Sequence, residues 1–449
     1  VKNVSAKVFL SSTLVLLSML LVTGLLTYVI PSGTFDHLAM RYTDHGVRGI
    51  PLRDWVGAPL LVLTGDTGPQ IIAIVLFILI IGGAIRLLQD TGLIEGAILA
   101  VVRRFYGNGF VLLCILVLVF MSLGAFGGIF EEVVPLVPLM MLLAKRMGWD
   151  ELTGLGASML ATGLGFAAAV TNPFTIGVAQ ELAGLPLFSG ASLRVLVFVV
   201  VYASLVSFLT LRIRRGRDGG EVLPPTAAVA VPASAYRFFI CLMMLMAIVV
   251  VAMPLFAFLQ AIALPLIAFI FLVAGLGVGL MVKRNGRWVT TTFLAGARDL
   301  SPAIVLILLA SGIKHVLEQS GILDTILYVV AQRITLMSPL TAVYLVFGLV
   351  MGLNFFIGSG SAKAFILMPI LMPLMDVLGV GRQLGVLAFQ FGDGFSNVLY
   401  PTNAVLLISL ALAKVSYARW FAFVLPLQIV LTLVSLAFLA LGLHIGYGL

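Results

Sequence analysis

Four charged side chains stand in long, otherwise uncharged stretches of this chain. Glu131 and Glu132 lie in GAFGGIFEEVVPLVP (124–138), Lys363 in NFFIGSGSAKAF (354–365) and Asp393 in FGDGFSNVLYPTNAV (391–405). A charge alone at the centre of a membrane helix costs about 2.5–3.5 kcal/mol, so a carboxylate there must pair, take a proton or bind a cation. Glu131 and Glu132 admit two readings: an ion pair or wet vestibule, or a contact to substrate or ion. Beside Lys363, the residues Ser359, Gly360 and Ser361 supply hydroxyls and allow close backbone approach. A helix starting there would turn its free N–H groups toward an anion.

Two further polar patches interrupt apolar runs. In ATGLGFAAAVTNPFTIG (161–177), Pro173 cannot continue a helical ladder, and Gly163 and Gly165 loosen it. Thr171, Asn172 and Thr175 then offer oxygens beside freed carbonyls. The second patch gathers Asp393, Ser396, Asn397, Thr402 and Asn403. Such oxygens suit a sodium ion, since hard cations favour oxygen ligands. The plainer reading of either patch is a packing kink satisfied by neighbouring helices. Asp393 is open to service as cation ligand, proton carrier or substrate contact. Arg86, Lys314, His315 and Glu318 read by default as side chains reaching to an interface. Tyr400 reads equally as a wall of the site or as aromatic packing.

The elements that must position these residues are membrane spans. The chain has 449 residues, 61% hydrophobic and 10% charged, with mean hydropathy +1.20. A soluble chain is about 45–50% apolar and about 25% charged. Soluble enzymes, nucleic-acid binders and disordered scaffolds are excluded. The net charge of +8 is read as Lys and Arg in cytoplasmic loops. The two cysteines and four histidines show no spacing for a disulfide framework or zinc site. A crossing helix needs about 20 apolar residues. Candidate spans are 8–30, 70–88, 191–211, 236–258, 262–282, 299–318 and 419–441. The segments 151–183 and 382–413 read as broken crossings, and 109–146 and 338–378 as re-entrant hairpins. The first run reads as a transmembrane helix and not a removable signal peptide.

Basic residues set the direction. Lys2, Lys7, Arg103, Arg104, Lys145, Arg146, Arg212, Arg214, Arg215, Arg217, Lys283, Arg284, Arg287, Arg298, Lys414 and Arg419 all fall inside if the N-terminus is cytoplasmic. This gives nine crossings and two hairpins, with 31–69 as an external polar segment. A repeat runs through the chain. QDTGLIEGAILAVVRRF (89–105) is similar to EQSGILDTILYVVAQRI (318–334), pairing Gly92 with Gly321. After one two-residue gap, Gly127 meets Gly358, Pro138 meets Pro369, Gly148 meets Gly379 and Gly163 meets Gly394. Thr171-Asn172 then meets Thr402-Asn403. Lys363 falls on Glu132, so the two are either an ion pair across a pseudo-two-fold axis or two ends of a site. The expected fold is an all-α polytopic membrane protein with an inverted repeat. Its first half is 1–214, its linker and extra crossing 215–258, and its inverted second half 259–449. Inverted repeats with broken helices belong to secondary transporters.

GFAAAVTNPFTIGVAQELAGLPLFSG, FGDGFSNVLYPTNAVLL and the segment PSGTFD (31–36) resemble the YfcC family of inner-membrane carriers. That family is related to the anaerobic four-carbon-dicarboxylate carriers of the ion-transporter superfamily. The resemblance covers nearly the whole chain. It implies a bacterial inner-membrane homodimer working by elevator-type alternating access, with no cofactor beyond a coupling sodium ion or proton. It also implies tip residues Glu131, Glu132, Gly358, Ser359, Gly360 and Ser361 in the site, with Asn172, Pro173, Thr175, Asp393, Asn397, Thr402 and Asn403 at the breaks. Lys363 joins the expected substrate contacts; Gly163, Thr171, Asp393, Ser396, Asn397 and Thr402 form the expected ion set. The expected partners are a small-molecule substrate and the lipid bilayer, without nucleic acid. Two acids at one tip and Asp393 at the other break favour a substrate with an amine, and Lys363 with the N–H-rich tips a carboxylate; an amino acid uses both.

The expected function is thus a cation-coupled symporter or exchanger for an amino acid or four-carbon dicarboxylate. Two other classes stand against it. An intramembrane protease finds only a loose nucleophile motif in GSGS (358–361), one mid-chain His315 and an unaccompanied Asp393. A channel needs a continuous pore, which paired broken helices do not favour.

Overall fold

In lipid the backbone must hydrogen-bond to itself, so each long apolar run folds as a helix. The computed structural model describes residues 2–36, 41–65, 68–105, 107–215, 231–252, 256, 258–259, 262–282, 285–334 and 337–448. Most of the expected linker (216–230, with Arg217), His37, Lys283 and Arg284 lie outside these residues. In chain order come α1 (Lys2–Leu26), strands β1 (Ser32–Asp36) and β2 (Arg41–Gly46), α2 (Leu52–Leu61), α3 (Gly68–Asp90) and α4 (Leu93–Arg104). Next are α5 (Gly109–Gly127), a 3-10 turn (Glu131–Leu136) and α6 (Val137–Arg146). A rod of α7 (Glu151–Leu155), a π turn (Gly156–Leu160) and α8 (Ala161–Ala167) follows. After a gap the chain resumes as a π turn (Pro173–Gly177) and α9 (Val178–Leu182), then α10 (Ala191–Arg214) and α11 (Ala233–Ala252). The second half holds α12 (Ala263–Met281), α13 (Gly286–Ser320), α14 (Ile322–Ile334), α15 (Pro339–Asn354), α16 (Gly360–Val377), α17 (Arg382–Ser396), α18 (Ala404–Ala413) and α19 (Tyr417–His444).

Six described helices have the length and apolarity of a span: α3, α5, α10, α13, α16 and α19. Shorter apolar helices include parts of α1, α11 and α12, together with α15 and α18. The expected hairpins and broken crossings account for several of these, since each divides one apolar run into two helices.

The segment 31–69, expected to be external, departs from the all-α expectation. Strands β1 and β2 pair antiparallel, with Thr34 opposite Thr43. The strand edge seats on the start of α14: Gly33 N donates to Gly321 O at 3.3 Å, and Tyr42 stacks on Tyr328 with centroids 4.3 Å apart. Short polar strands with aromatic and β-branched residues carry no apolar run, so a scan for spans passes over them. Helix α2 lies against α13, where a Cβ on Gly312 would sit 2.8 Å from Pro59 N. Helix α13 also starts earlier than the 299 expected, because Asn285 caps it by accepting from Trp288 N at 2.7 Å.

Glycines set how closely helices approach around the breaks. A Cβ on Gly124 would strike Thr162 O, and one on Gly165 would strike Met121 O, so α5 and α8 touch backbone to backbone. Gly163 and Gly394 mark one crossing: a Cβ on the first meets Val398 and on the second Ala167. Gly165→Leu is expected to destabilise the fold by several kcal/mol, since carbonyl backbone cannot yield as a side chain does; overpacking alone costs about 1–3 kcal/mol. Thermal unfolding in detergent checks this.

Ion pairs pin one end of the bundle. Arg146 pairs with Glu95, Arg212 with Asp150, and Arg419 with Glu151 at 3.4 Å. Burial opposes ionisation of Asp150, but hydrogen bonds from Arg212 and Thr153 N–H hold its carboxyl below the usual range.

Candidate functional site

The first tip forms where α5 stops. Gly128 takes φ 68°, a left-handed conformation open to glycine, and reverses the chain into the 3-10 turn. A Cβ there would also collide with Asn172 Oδ1, which ties this tip to the first break. The second tip turns at 355–359, and Ser359 Oγ caps α16 by accepting from Ala362 N at 3.3 Å. At the first break α8 ends at Ala167 and the helix restarts at Pro173, with Asn172 Oδ1 accepting from Phe174 N at 2.9 Å. At the second break α17 ends at Ser396 and Asn403 Oδ1 caps α18 through Leu406 N at 3.2 Å. Ser359, Asn172 and Asn403 thus all serve as helix caps.

Breaking a helix frees carbonyls, and each needs a donor. Arg194 Nε and Nη2 donate to Val170 O at 3.1 and 3.0 Å. Gln390 Nε2, reaching across from α17, donates to Phe166 O at 2.7 Å. At the second break Trp420 Nε1 donates to Val398 O and Tyr417 Oη to Leu399 O, both at 2.8 Å. Neighbouring side chains thus meet these freed carbonyls.

The tips and restarts enclose a cavity of about 840 Å³. Glu131, Glu132 and Gly128 line it from the first tip, Gly358, Ser359, Gly360 and Ser361 from the second. Phe174 and Thr175 enter from the first break, and Asn397, Thr402 and Asn403 from the second. Four helix N-termini therefore border one space. Glu131 is exposed to it and Glu132 half-buried, the latter accepting from Phe130 N at 3.1 Å. Helix α13 closes the other side with Lys314, His315 and Glu318, expected at an interface instead. A Cβ on Gly358 would lie 2.7 Å from Lys314 Nζ, so that ammonium stands at the second tip. Arg86 does remain outside, paired with Asp90 at 3.0 Å and Asp299 at 3.2 Å.

Lys363 does not meet Glu132. It is 0% exposed, and its Nζ lies 2.6 Å from Asp393 Oδ1, which is equally closed to solvent. Nζ also donates to Asn354 Oδ1. Asn354 Nδ2 in turn reaches Asp393 O at 2.8 Å, Ser396 Oγ at 2.7 Å and Asn397 Oδ1 at 3.0 Å. Asn403 Nδ2 donates to Asn397 Oδ1 at 3.2 Å and links this buried network to the cavity wall. Lys363, Asp393 and Ser396 thus sit behind the wall and not on it. Gly163 serves the helix crossing, Thr171 Oγ1 donates to Phe126 O at 3.2 Å, and neither lines the cavity. Asn172 and Pro173 also lie off its lining. Tyr400 packs edge-on against Phe355 at 5.4 Å, the aromatic alternative. Asn172 Nδ2, Thr175 Oγ1 and Asp393 Oδ2 are buried without a hydrogen-bond partner among the described residues.

Asn354, Arg194 and Gln390 were not singled out in the sequence. Arg194 had left one signal: a guanidinium a few residues inside a span, where reaching to the surface is the default. Asn354 and Gln390 are ordinary polar residues in apolar helices, and only contacts reveal their role.

The family model of the C4-dicarboxylate anaerobic carriers (DcuC) matches residues 9–444. The Escherichia coli (strain K12) protein YfcC, provisionally named a basic amino acid antiporter, is 31% identical over 93% of this chain and 92% of its own. A Haemophilus influenzae protein is 27% identical over 80% of this chain and 73% of its own. The Alcanivorax borkumensis YdaH transporter aligns with TM-score 0.47 and 18% identity over 98% of this chain and 99% of its own. The sequence matches decide the assignment: a multi-pass membrane carrier and not an enzyme, the chain belongs to the C4-dicarboxylate anaerobic carrier family, DcuC, as a YfcC-type member.

Proposed function

We infer that this carrier moves an amino acid with a cationic side chain across the bacterial inner membrane, as an exchanger or a symporter coupled to sodium or protons. The observation that carries this is the charge layout of the cavity. Glu131, Glu132 and Glu318 offer acceptors for amines, while Lys314 and the α16 N-terminus at Ser359–Ser361 offer donors for one carboxylate. A four-carbon dicarboxylate, the second reading, is favoured by the family model but would bring two anionic ends to a wall richer in acids. The name of the YfcC relative fits the first reading.

The proposed motion is of elevator type. The tips and breaks travel as one unit, and α13 belongs to the scaffold facing it. The inverted repeat is supported by conformations at paired positions: Gly92 and Gly321 have φ 79° and 66°, and Gly148 and Gly379 have 73° and 64°. In this reading 1–214 and 259–449 are the two halves, 215–258 joins them, the N-terminus is cytoplasmic and the carrier is a homodimer.

Uptake of labelled arginine, lysine and succinate into proteoliposomes tests the substrate. Arginine or lysine counterflow, without succinate counterflow, is the expected result; succinate alone moving would overturn it. Glu131→Gln is expected to lower amino-acid uptake about 10–100-fold, the worth of a charge-assisted hydrogen bond of about 1.5–3 kcal/mol. Asn403→Ala removes a helix cap as well as a cavity amide, so about 1 kcal/mol of its effect is on stability.

A further inference from the structure

The second break assembles what a hard cation would use. Asp393 Oδ1 and Asn354 Oδ1 converge in a space shut to water, with Ser396 Oγ and Asn397 Oδ1 joined to them through Asn354. The cation found there is part of the chain. Lys363 Nζ sits on both convergent oxygens, at 2.6 Å from the carboxylate. An ammonium presents three donors and one positive charge, a partner for the carboxylate where no water reaches it. The stem is buried too, since Lys363 as a whole is 0% exposed. The arrangement is one-sided: the repeat mates of Lys363 and Asp393 are Glu132 and Thr162. The first break therefore has neither member of the pair.

We propose that Lys363 is a tethered counter-cation that stands in for a soluble coupling ion at the second break, which consequently takes up no sodium. The tether makes occupation by the ammonium an intramolecular event that needs no ion from solution. The charge of this break is then constant through the cycle. Any ion that couples transport must be taken at the cavity carboxylates or the first break, or the carrier exchanges one solute for another. This inference concerns ion binding at Asp393 and does not depend on which substrate the cavity holds.

Thermal unfolding of the purified full chain, in sodium chloride or choline chloride of equal ionic strength, tests it. The wild type is expected to show no sodium-over-choline rise beyond that of the neutral pair Lys363→Met with Asp393→Asn, in which every other carboxylate is intact. Lys363→Ala exposes the carboxylate to free cations and is expected to unfold at lower temperature in choline. Sodium or methylammonium should raise it by several degrees. That neutral pair should fold, and any response it keeps to sodium or methylammonium sets the baseline for binding elsewhere, above which only Lys363→Ala should rise. A wild-type rise in sodium that Asp393→Asn with Lys363→Met abolishes would overturn the proposal, because sodium would then bind beside the lysine. So would a Lys363→Ala protein that responds to neither sodium nor methylammonium. Failure to recover folded Lys363→Ala in any of the salts, while the neutral pair folds, also counts against it. Uptake assays play no part in these outcomes, so a wrong substrate assignment leaves them unchanged.

Discussion

Asp393→Asn is expected to lower the unfolding free energy by about 3–5 kcal/mol and to abolish uptake, because it strands the buried Lys363 ammonium without its partner. The lysine stem is fully buried, so the charge has no path to water. The remaining acceptor, Asn354 Oδ1, is a neutral amide already committed to the network through its own Nδ2. Adding Lys363→Met removes the stranded charge and is expected to recover most of the stability, since replacing a whole buried pair by apolar groups is often neutral or better. Uptake should stay absent in the double variant, because Asn354 loses its partner and the network behind Asn397 and Asn403 loosens. Chemical or thermal unfolding of the three proteins decides the energetic claim. If Asp393→Asn alone keeps wild-type stability, the buried pair does not carry the weight assigned to it. The roles open to Asp393 from the sequence, as cation ligand, proton carrier or substrate contact, bear on transport. The structure adds the loss of fold, since it pairs Asp393 with a lysine inside the protein.

Arg194→Ala is the second variant of large expected effect. Arg194 is 2% exposed and donates to three backbone carbonyls: Val170 twice, Ser189 at 2.7 Å and Phe188 at 3.0 Å. It reaches Tyr447 Oη as well, at 3.3 Å. Ser189 O keeps a second donor in Gln180 Nε2 at 2.9 Å, but Val170 O has no other donor among the described residues. A buried acceptor left unmet costs about 1–3 kcal/mol. Losing the donors of the buried Val170 carbonyl is therefore expected to cost about 1–3 kcal/mol, with a smaller share from the part-buried Phe188 O. Arg194→Lys should recover little of it, because one ammonium cannot reproduce a planar fork with donors on several sides. The first break should then sag. Transport should fall further than stability, since Asn172 and Thr175 depend on that backbone for their positions. A Lys variant with full stability and uptake would reduce Arg194 to a charge placed for topology.

Much of the architecture was legible because lipid imposes a strict rule. A segment must be apolar for about 20 residues or pair its backbone within a protected site. That rule marks α3, α10, α13 and α19 by composition. It also marks the two tips and two breaks, where Gly, Pro, Asn and Thr interrupt an apolar run. The same rule misses α2 and the β1–β2 hairpin, whose polar residues carry no such constraint. Charge scarcity pointed at Glu131 and Glu132, which line the cavity. It could not say that Lys363 turns away from Glu132, because two residues paired by a repeat share a position in the fold and not a contact.

By itself, the sequence determined the solvent, the fold class and the addresses of the tips and breaks, because hydropathy and helix-breaking chemistry are local properties of the chain. Only the tertiary structure decided which charge meets which. Lys363 lies thirty residues from Asp393 along the chain, and Arg194 twenty-four from Val170. Lys314 on α13 faces a tip more than forty residues away. In a medium of low dielectric those meetings fix both the stability of the breaks and the charges left free to greet a substrate.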